Sequence, residues 1–278
     1  MIDIKQALDK AIETLLLTSP SPRLDAELLL INVLKTSRTY LYAYPEFRLN
    51  STQQQAYQTL INKRVKGVPI AYLTGTREFW SMPLLVNEHT LIPRPDTERL
   101  VELTLALFTK TQAKILDAGT GSGAIALALA SERPEWEIMA CDKQEEAIDM
   151  AKRNATELSL HNINFFCSNW FNNLPNTSFD VIVSNPPYIA ENDPHLSEGD
   201  LRFEPKGALV SGEDGLVAIR YLVKNSYERL LPNGLLLLEH GFSQAAAVTR
   251  LLKQGGYRQV QSWLDLQGHT RVSGGWRV

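Results

Sequence analysis

The sequence predicts an α/β protein, a mostly parallel sheet covered by helices on both faces, with a small helical unit ahead of it. Three observations carry that prediction. From Asp96 onward, short apolar runs alternate with helix-period segments, the pattern of strand–helix–strand units whose sheet is buried on both sides. A glycine-rich turn, Gly119-Thr120-Gly121-Ser122-Gly123, follows the first of those runs. The first 75 residues, by contrast, carry apolar residues only at helical spacing.

In that first segment Ile4, Leu8, Ile12, Leu15 and Leu16 share one helical face. Ser21 reads as a cap with Pro22 in the first turn, and Leu24, Leu28 and Ile31 then point inward. Ser51 and Gln54 have capping-box spacing, and Gly67 with Pro69 supplies the stop. The basic group from Asn62 to Gly67 reads as a solvated helix face. Residues 76–93 have the alternation of a β-hairpin and join the helical domain, 1–75, to a second domain, 94–278. Strands of that second domain are predicted at 113–118, 136–141, 163–167, 179–184, 234–240 and 257–263, with a last run from Arg271 to Val278. Segments such as 124–133 and 145–158 supply the helices between them.

Composition narrows the function classes. At 278 residues the chain can bury two cores. With a net charge of −3 and scattered basic residues it lacks the stripe of a stable duplex binder, which typically makes roughly 6–10 phosphate contacts. No apolar run reaches the roughly 18 residues of a membrane span, and charges of both signs near the N-terminus argue against a signal peptide. Cys141 and Cys167 read as buried free thiols, which suits a reducing cytoplasm. His89, His161, His195, His240 and His269 have no ligand spacing, so no metal is expected.

The glycine loop is where chemistry enters. Gly119, Gly121 and Gly123 can take backbone angles that a Cβ forbids, and they let a ligand approach the main chain. Asp142 ends the next strand about 20 residues on, where a carboxylate can hold the hydroxyls of a ribose. An adenosine-containing cofactor follows from the pair, and a nicotinamide cofactor fits the glycine spacing as well as any other. Asp117, just ahead of the loop, would repel a pyrophosphate and suit the cationic amino group of a methionine moiety. That favours S-adenosylmethionine.

The fourth strand ends in Asn185-Pro186-Pro187-Tyr188. Its C-terminal end and that of the first strand flank the point where an open sheet reverses its winding, so Asn185 should face the glycine crevice. An amide or aromatic-amine nitrogen is a poor nucleophile, because its lone pair is delocalised. The Asn185 side-chain carbonyl and the Pro186 main-chain carbonyl can each accept one hydrogen of such an NH2 group and aim its lone pair. Proline contributes no competing N–H, and Tyr188 offers a flat face for a planar group. The long segment 189–214 has little regular pattern and reads as a lid over the substrate.

With "LIPRPDTE" (91–98), "GTGSGAIALALA" (119–130), "SNPPYI" (184–189) and "FEPKGALVSGEDGL" (203–216), the chain resembles the peptide chain release factor glutamine N5-methyltransferases of the HemK/PrmC type over essentially its whole length. The resemblance implies a class I S-adenosylmethionine-dependent methyltransferase fold, seven-stranded and Rossmann-like. It implies as substrate the glutamine of the Gly-Gly-Gln motif in class I release factors, with the helical domain holding that partner. Carried over, Gly119, Thr120, Gly121, Ser122 and Gly123 line the cofactor, Asp142 binds its ribose and Trp170 lies near its adenine. Asn185 and Pro186 are catalytic, and Pro187 and Tyr188 complete the glutamine site. Asn169 stands where many members carry Asp, and its amide oxygen can accept the same hydrogen bond. A sister glutamine enzyme acting on a ribosomal protein, an adenine-N6 methyltransferase and a non-catalytic adaptor are the competing readings.

Overall fold

The computed structural model describes residues 2–278, which divide into two compact units. The first comprises the chain up to Thr76 together with Ser197–Phe203. Its helices are α1 (Ile4–Leu15), α2 (Pro22–Leu34), α3 (Arg38–Ala43), α4 (Ser51–Val65) and α5 (Ile70–Thr74). Ile4, Ala7, Ala11 and Leu15 of α1 pack with Ala26, Leu29 and Leu30 of α2 and with Tyr57 and Ile61 of α4. Leu16 closes α1 and is 60% exposed. The capping box of α4 sits one residue earlier than its sequence suggests. Asn50 Oδ1 accepts the Gln53 N–H at 2.9 Å and Gln53 Oε1 accepts the Asn50 N–H at 3.0 Å, an exchange that satisfies two otherwise orphaned donors.

Helix α2 corrects the sequence reading most. Its buried residues are Asp25, Ala26, Glu27, Leu29 and Leu30, whereas Leu24 is 44% exposed and Leu28 and Ile31 are only half-buried. Two buried carboxylates choose the face, because each must bring a partner with it. Asp25 Oδ2 takes Arg64 Nε at 2.7 Å and Ser19 Oγ at 2.6 Å, and its Oδ1 takes Ser21 Oγ at 3.1 Å. Glu27 takes Arg38 Nε at 2.8 Å and the Tyr42 hydroxyl at 2.6 Å. Arg64 is therefore a buried ion-pair partner on α4 and no part of a solvated face.

The second unit begins at Arg77, inside the hairpin of β1 (Thr76–Phe79) and β2 (Met82–Leu85). Trp80 and Ser81 form its two-residue turn with φ of 52° and 57°, the paired positive angles that match the twist of hairpin strands. Phe79 and Leu84 bury against α6 (Pro95–Leu107) and α7 (Ala124–Glu132). The main sheet contains β3 (Lys114–Ala118), β4 (Glu137–Asp142), β5 (Ile163–Cys167), β6 (Phe179–Ser184), β7 (Leu230–Glu239), β8 (Arg258–Leu264) and β9 (Thr270–Trp276). Their order is β5-β4-β3-β6-β7-β9-β8; the first five are parallel, and β9 runs antiparallel to both of its neighbours. The remaining helices are α8 (Glu145–Glu157), α9 (Lys206–Leu209), α10 (Val217–Arg229) and α11 (Ala245–Gln254).

Strand side chains alternate between the two layers. Ile115, Val181, Val183, Leu235 and Leu237 face α6 and α7, while Leu116, Ile182, Leu236 and Leu238 face α10 and α11. Burial on both sides is why "DVIVS" and "LLLLE" read as unbroken apolar runs. Cys141 is buried, and burial pushes its thiol up to about 12. Cys167, expected inside, is exposed at the end of the outermost strand β5. His240 is buried as a structural residue, its ring nitrogens bonded to Gly241 O at 2.9 Å and Ser273 Oγ at 2.7 Å. Among the described residues no helix is long and apolar enough to cross a membrane.

Replacing Arg64 by alanine strands the Asp25 carboxylate in the helical core without its cation. Denaturant unfolding of Arg64→Ala should show a loss of about 3 kcal/mol; a midpoint equal to wild type would contradict this account of α2.

Candidate active site

Register builds the site. Asp117 of β3 pairs with Val183 of β6, so two residues further on Gly119 stands level with Asn185. On the other flank Ala118 pairs with Cys141, which sets Asp142 beside the same turn. Gly119 and Thr120 both donate their N–H to Cys141 O, at 2.8 and 2.9 Å, pinning the turn to β4. Gly121 N–H then donates to Asp142 Oδ2 at 3.0 Å, and Gln144 N–H donates to Oδ1 at 3.0 Å. Each carboxylate oxygen keeps a lone pair for a further donor.

One cleft is lined by Gly119, Thr120, Gly121, Ser122, Asp142, Trp170, Asn185 and Pro187, together with Asn169. Gly119 and Gly121 have φ of 80° and 56°. A Cβ on Gly119 would lie 3.2 Å from the Trp170 ring, and one on Gly121 would meet nothing within 4 Å. These two therefore present bare backbone to a ligand, with an indole beneath. The set fits an adenosyl group bearing a charged amino-acid tail, since it offers a bare peptide cradle, a half-buried carboxylate with free lone pairs and an aromatic face. Gly123 stands behind the wall at φ 90°, where a Cβ would press on Leu127 and Ala151 at 3.0 and 3.1 Å. Close packing of α7 on α8 accounts for that glycine.

Pro186 and Tyr188 do not form part of the cleft wall. Pro186 is buried, and the Tyr188 ring packs on the layer that contains α10 and α11. Its hydroxyl points to Glu239 Oε1 at 3.4 Å, and its main-chain carbonyl accepts Gln244 Nε2 at 2.9 Å. Asn185 Nδ2 donates to Thr97 Oγ1 at 3.0 Å. With the nitrogen so engaged, Oδ1 is the free end of that amide.

The wall also holds Arg94 and Thr97, to which the sequence reading gave no role and which enter from the start of α6, and Pro205, Gly207 and Ala208 from the long segment after β6 that was expected to form a lid. Arg94 is ion-paired with the buried Glu204, whose Oε2 also takes the Ile92 N–H at 3.0 Å. The segment's neck is closed on itself, with Ile189 N–H donating to Leu209 O and Ser211 N–H to Ile189 O, both at 2.9 Å. "RPDTE" and "FEP" were thus conspicuous in the sequence because they meet here.

Asp117 differs from its expected place. Its carboxylate is fully buried beneath the glycine turn and does not line the cleft. Oδ2 accepts Thr120 Oγ1 at 2.6 Å and Ala126 N–H at 3.2 Å, while Oδ1 has no partner. Burial pushes the group up to about 7, against those two bonds. The unfolded chain releases this proton near pH 4, so between about 4 and 7 the folded state holds a proton that the unfolded state has lost. Stability therefore falls as pH rises through that window. Relative to Asp117→Asn, wild type should lose unfolding free energy from pH 4.5 to 7 and hold level above; a difference independent of pH would refute the assignment.

Comparison with known proteins identifies the fold and the family. The methyltransferase small domain family matches residues 98–203, and the PrmC N-terminal domain family matches residues 6–75. The release factor glutamine methyltransferase of Salmonella typhimurium is 49% identical over 274 residues, covering 99% of each chain. That of Escherichia coli is 49% identical over 255 residues, covering 92% of each. Among solved structures, a methyltransferase from Pyrococcus furiosus superposes with a TM-score of 0.54 at 18% identity, over 79% of this chain and 97% of that one. At that identity the likeness is one of fold: a class I methyltransferase sheet. The chain belongs to the release factor glutamine methyltransferase family.

Proposed function

We propose that this chain transfers the methyl group of S-adenosylmethionine to the side-chain amide nitrogen, N5, of the glutamine in the Gly-Gly-Gln motif of class I peptide chain release factors. One observation carries the reading: Asn185, its nitrogen engaged by Thr97, shares a cleft with the bare glycine turn and Asp142. Near-full-length relatives named release factor glutamine methyltransferase support it further.

Bound S-adenosylmethionine supplies an electrophilic methyl group on a sulfonium, which needs neither metal nor acid. Gly119 to Gly121 admit its methionine portion along the backbone, with Thr120 and Ser122 offering hydroxyls. Asp142 takes the ribose hydroxyls with its free lone pairs, and Trp170 and Asn169 flank the adenine. Asn185 Oδ1 accepts one hydrogen of the glutamine NH2 from the cleft wall, and the family resemblance assigns the other to the carbonyl of Pro186, which lies behind that wall. Held so, the nitrogen is favoured in the pyramidal geometry of attack and its lone pair is aimed in line. Forming the N–C bond would break the methyl–sulfur bond, the sulfur keeping the electron pair as neutral S-adenosylhomocysteine, and one of these amide protons would pass to water. Dipoles placed in advance are worth about 3–4 kcal/mol apiece, by analogy with oxyanion-hole donors. Pro187 stiffens the turn and Tyr188 anchors its far end. The helical unit, residues 1–75, engages the release factor, with Leu17, Tyr42, Tyr44 and Phe47 exposed on it.

The test is methyl transfer from labelled S-adenosylmethionine to purified release factor, its Gln→Ala version and DNA. Label should enter the first alone. Asn185→Ala should lower kcat by about 10²–10³-fold while the cofactor Kd stays close to wild type. Labelling of DNA, or a near-normal rate for Asn185→Ala, would overturn the proposal.

A further inference from the structure

Trp170 stands on a backbone that suits a tryptophan poorly. Its φ is 54°, in the left-handed region that bulky side chains avoid and that glycine or asparagine enters readily. Asparagine is close at hand, at positions 169, 172 and 173, so a turn that needed only this angle had easier occupants. The other tryptophan with a positive φ, Trp80, sits in a two-residue hairpin turn that imposes it. Trp170 instead follows the parallel strand β5 and joins no hairpin. What the angle secures is the place of the ring. The indole lies 3.2 Å from where a Cβ on Gly119 would stand, and it contacts the Tyr221 ring of α10 with 6.5 Å between centroids. A strained backbone of this kind persists only where its surroundings hold it.

We propose that Ser168 is a positioning residue, whose buried hydroxyl clamps Trp170 in this conformation and so preforms the adenine face of the cleft before the cofactor arrives. Ser168 is 2% exposed. Its Oγ donates to the Trp170 carbonyl at 2.8 Å and accepts the Asn173 N–H at 3.0 Å, so one hydroxyl binds the turn at the tryptophan and beyond it. Its own N–H donates to the Asp142 carbonyl at 2.8 Å. A single residue is thereby bonded to the main chain of the acid that faces the ribose and to that of the ring that faces the adenine. The Cys141 thiol adds a weaker donor to the Trp170 carbonyl at 3.5 Å. Without the hydroxyl that carbonyl keeps only the thiol, and the Asn173 N–H loses its acceptor. The backbone can then relax toward ordinary angles and carry the ring away from Gly119. A binding face formed only part of the time lowers the apparent affinity by the fraction formed. That Trp170 meets an adenine rests on the function proposed above, whereas the clamp itself does not.

Two readouts separate this clamp from a general effect on the fold. The first is the indole Nε1–H resonance of Trp170, identified by its loss in Trp170→Phe. In cofactor-free wild type it should be one sharp signal. In Ser168→Ala it should broaden or split, then sharpen on addition of S-adenosylhomocysteine. The signals of Trp80, Trp136, Trp263 and Trp276 should stay in place and show that the fold is intact. The second readout is affinity. The S-adenosylhomocysteine Kd and the cofactor KM of Ser168→Ala should rise about ten-fold, the scale of one lost hydrogen bond. Its kcat at saturating cofactor should hold, because Asn185 is untouched. Trp170→Gly removes both the ring and the strain, so Ser168→Ala added to it should change Kd no further. A Trp170 signal in Ser168→Ala as sharp as in wild type, a fall in kcat with KM unchanged, or the same loss of affinity in the Trp170→Gly background would each overturn the inference. A wild-type chain that shows the sharp signal but labels no release factor would instead overturn the proposed function and leave the clamp standing.

Discussion

Ser184 is the last residue of β6, and its hydroxyl donates to the Ala118 carbonyl at 2.5 Å. With the ladder below it, that bond fixes β3 and β6 as parallel neighbours in a single register. Because the sheet winds away in opposite directions on either side of this pair, the loops that leave the two strands have no helix between them. A crevice opens there by topology alone. A slip of one residue would turn every buried side chain of β6 to the wrong layer, so the packing that holds the core also holds Asn185 opposite Gly119. The site inherits its geometry from the sheet.

Around that crevice the protein keeps several acids out of water, each for a different purpose. Asp117 stitches the glycine turn to the first turn of α7. Glu204 clamps Arg94 and the backbone at Ile92. Glu239 lies under the Asn-Pro-Pro-Tyr turn. Burial raises Asp117 and Glu239, each to about 7, so they weaken the fold near neutral pH while holding the loops in place. Asp142, half-buried beside them, is the acid that faces the cleft. Local cost set against fixed geometry is common where polar groups must not reorganise during reaction.

Much of this was legible in the residues. Seven runs gave seven strands, because a sheet buried on both faces writes itself as unbroken apolar segments, and the turn residues after β3 and β6 marked the crevice. Most of the missed features share one cause, which is pairing across long separations. In α2 the run Leu28-Leu29-Leu30-Ile31 is apolar all round, so periodicity could not choose a face; Arg64, on another helix, chose it. Thr97 meets Asn185 across 88 positions and Tyr188 meets Glu239 across 51, distances over which no local pattern reports. "RPDTE" stood out without a role for the same reason. The capping box of α4 was displaced by one residue because Asn50-x-x-Gln53 and Ser51-x-x-Gln54 overlap, and only backbone angles separate them.

The two thiols are unlike in a way that bears on how the molecule can be watched. Cys141 is sealed in the sheet, whereas Cys167 emerges at the tip of β5, its sulfur 3.7 Å from the main-chain oxygen of Lys143, a residue of the cleft rim. Nature has thus left a single chemical handle within reach of the cleft rim. A maleimide dye placed there would need no engineered cysteine, and its emission would track occupancy of the crevice in real time.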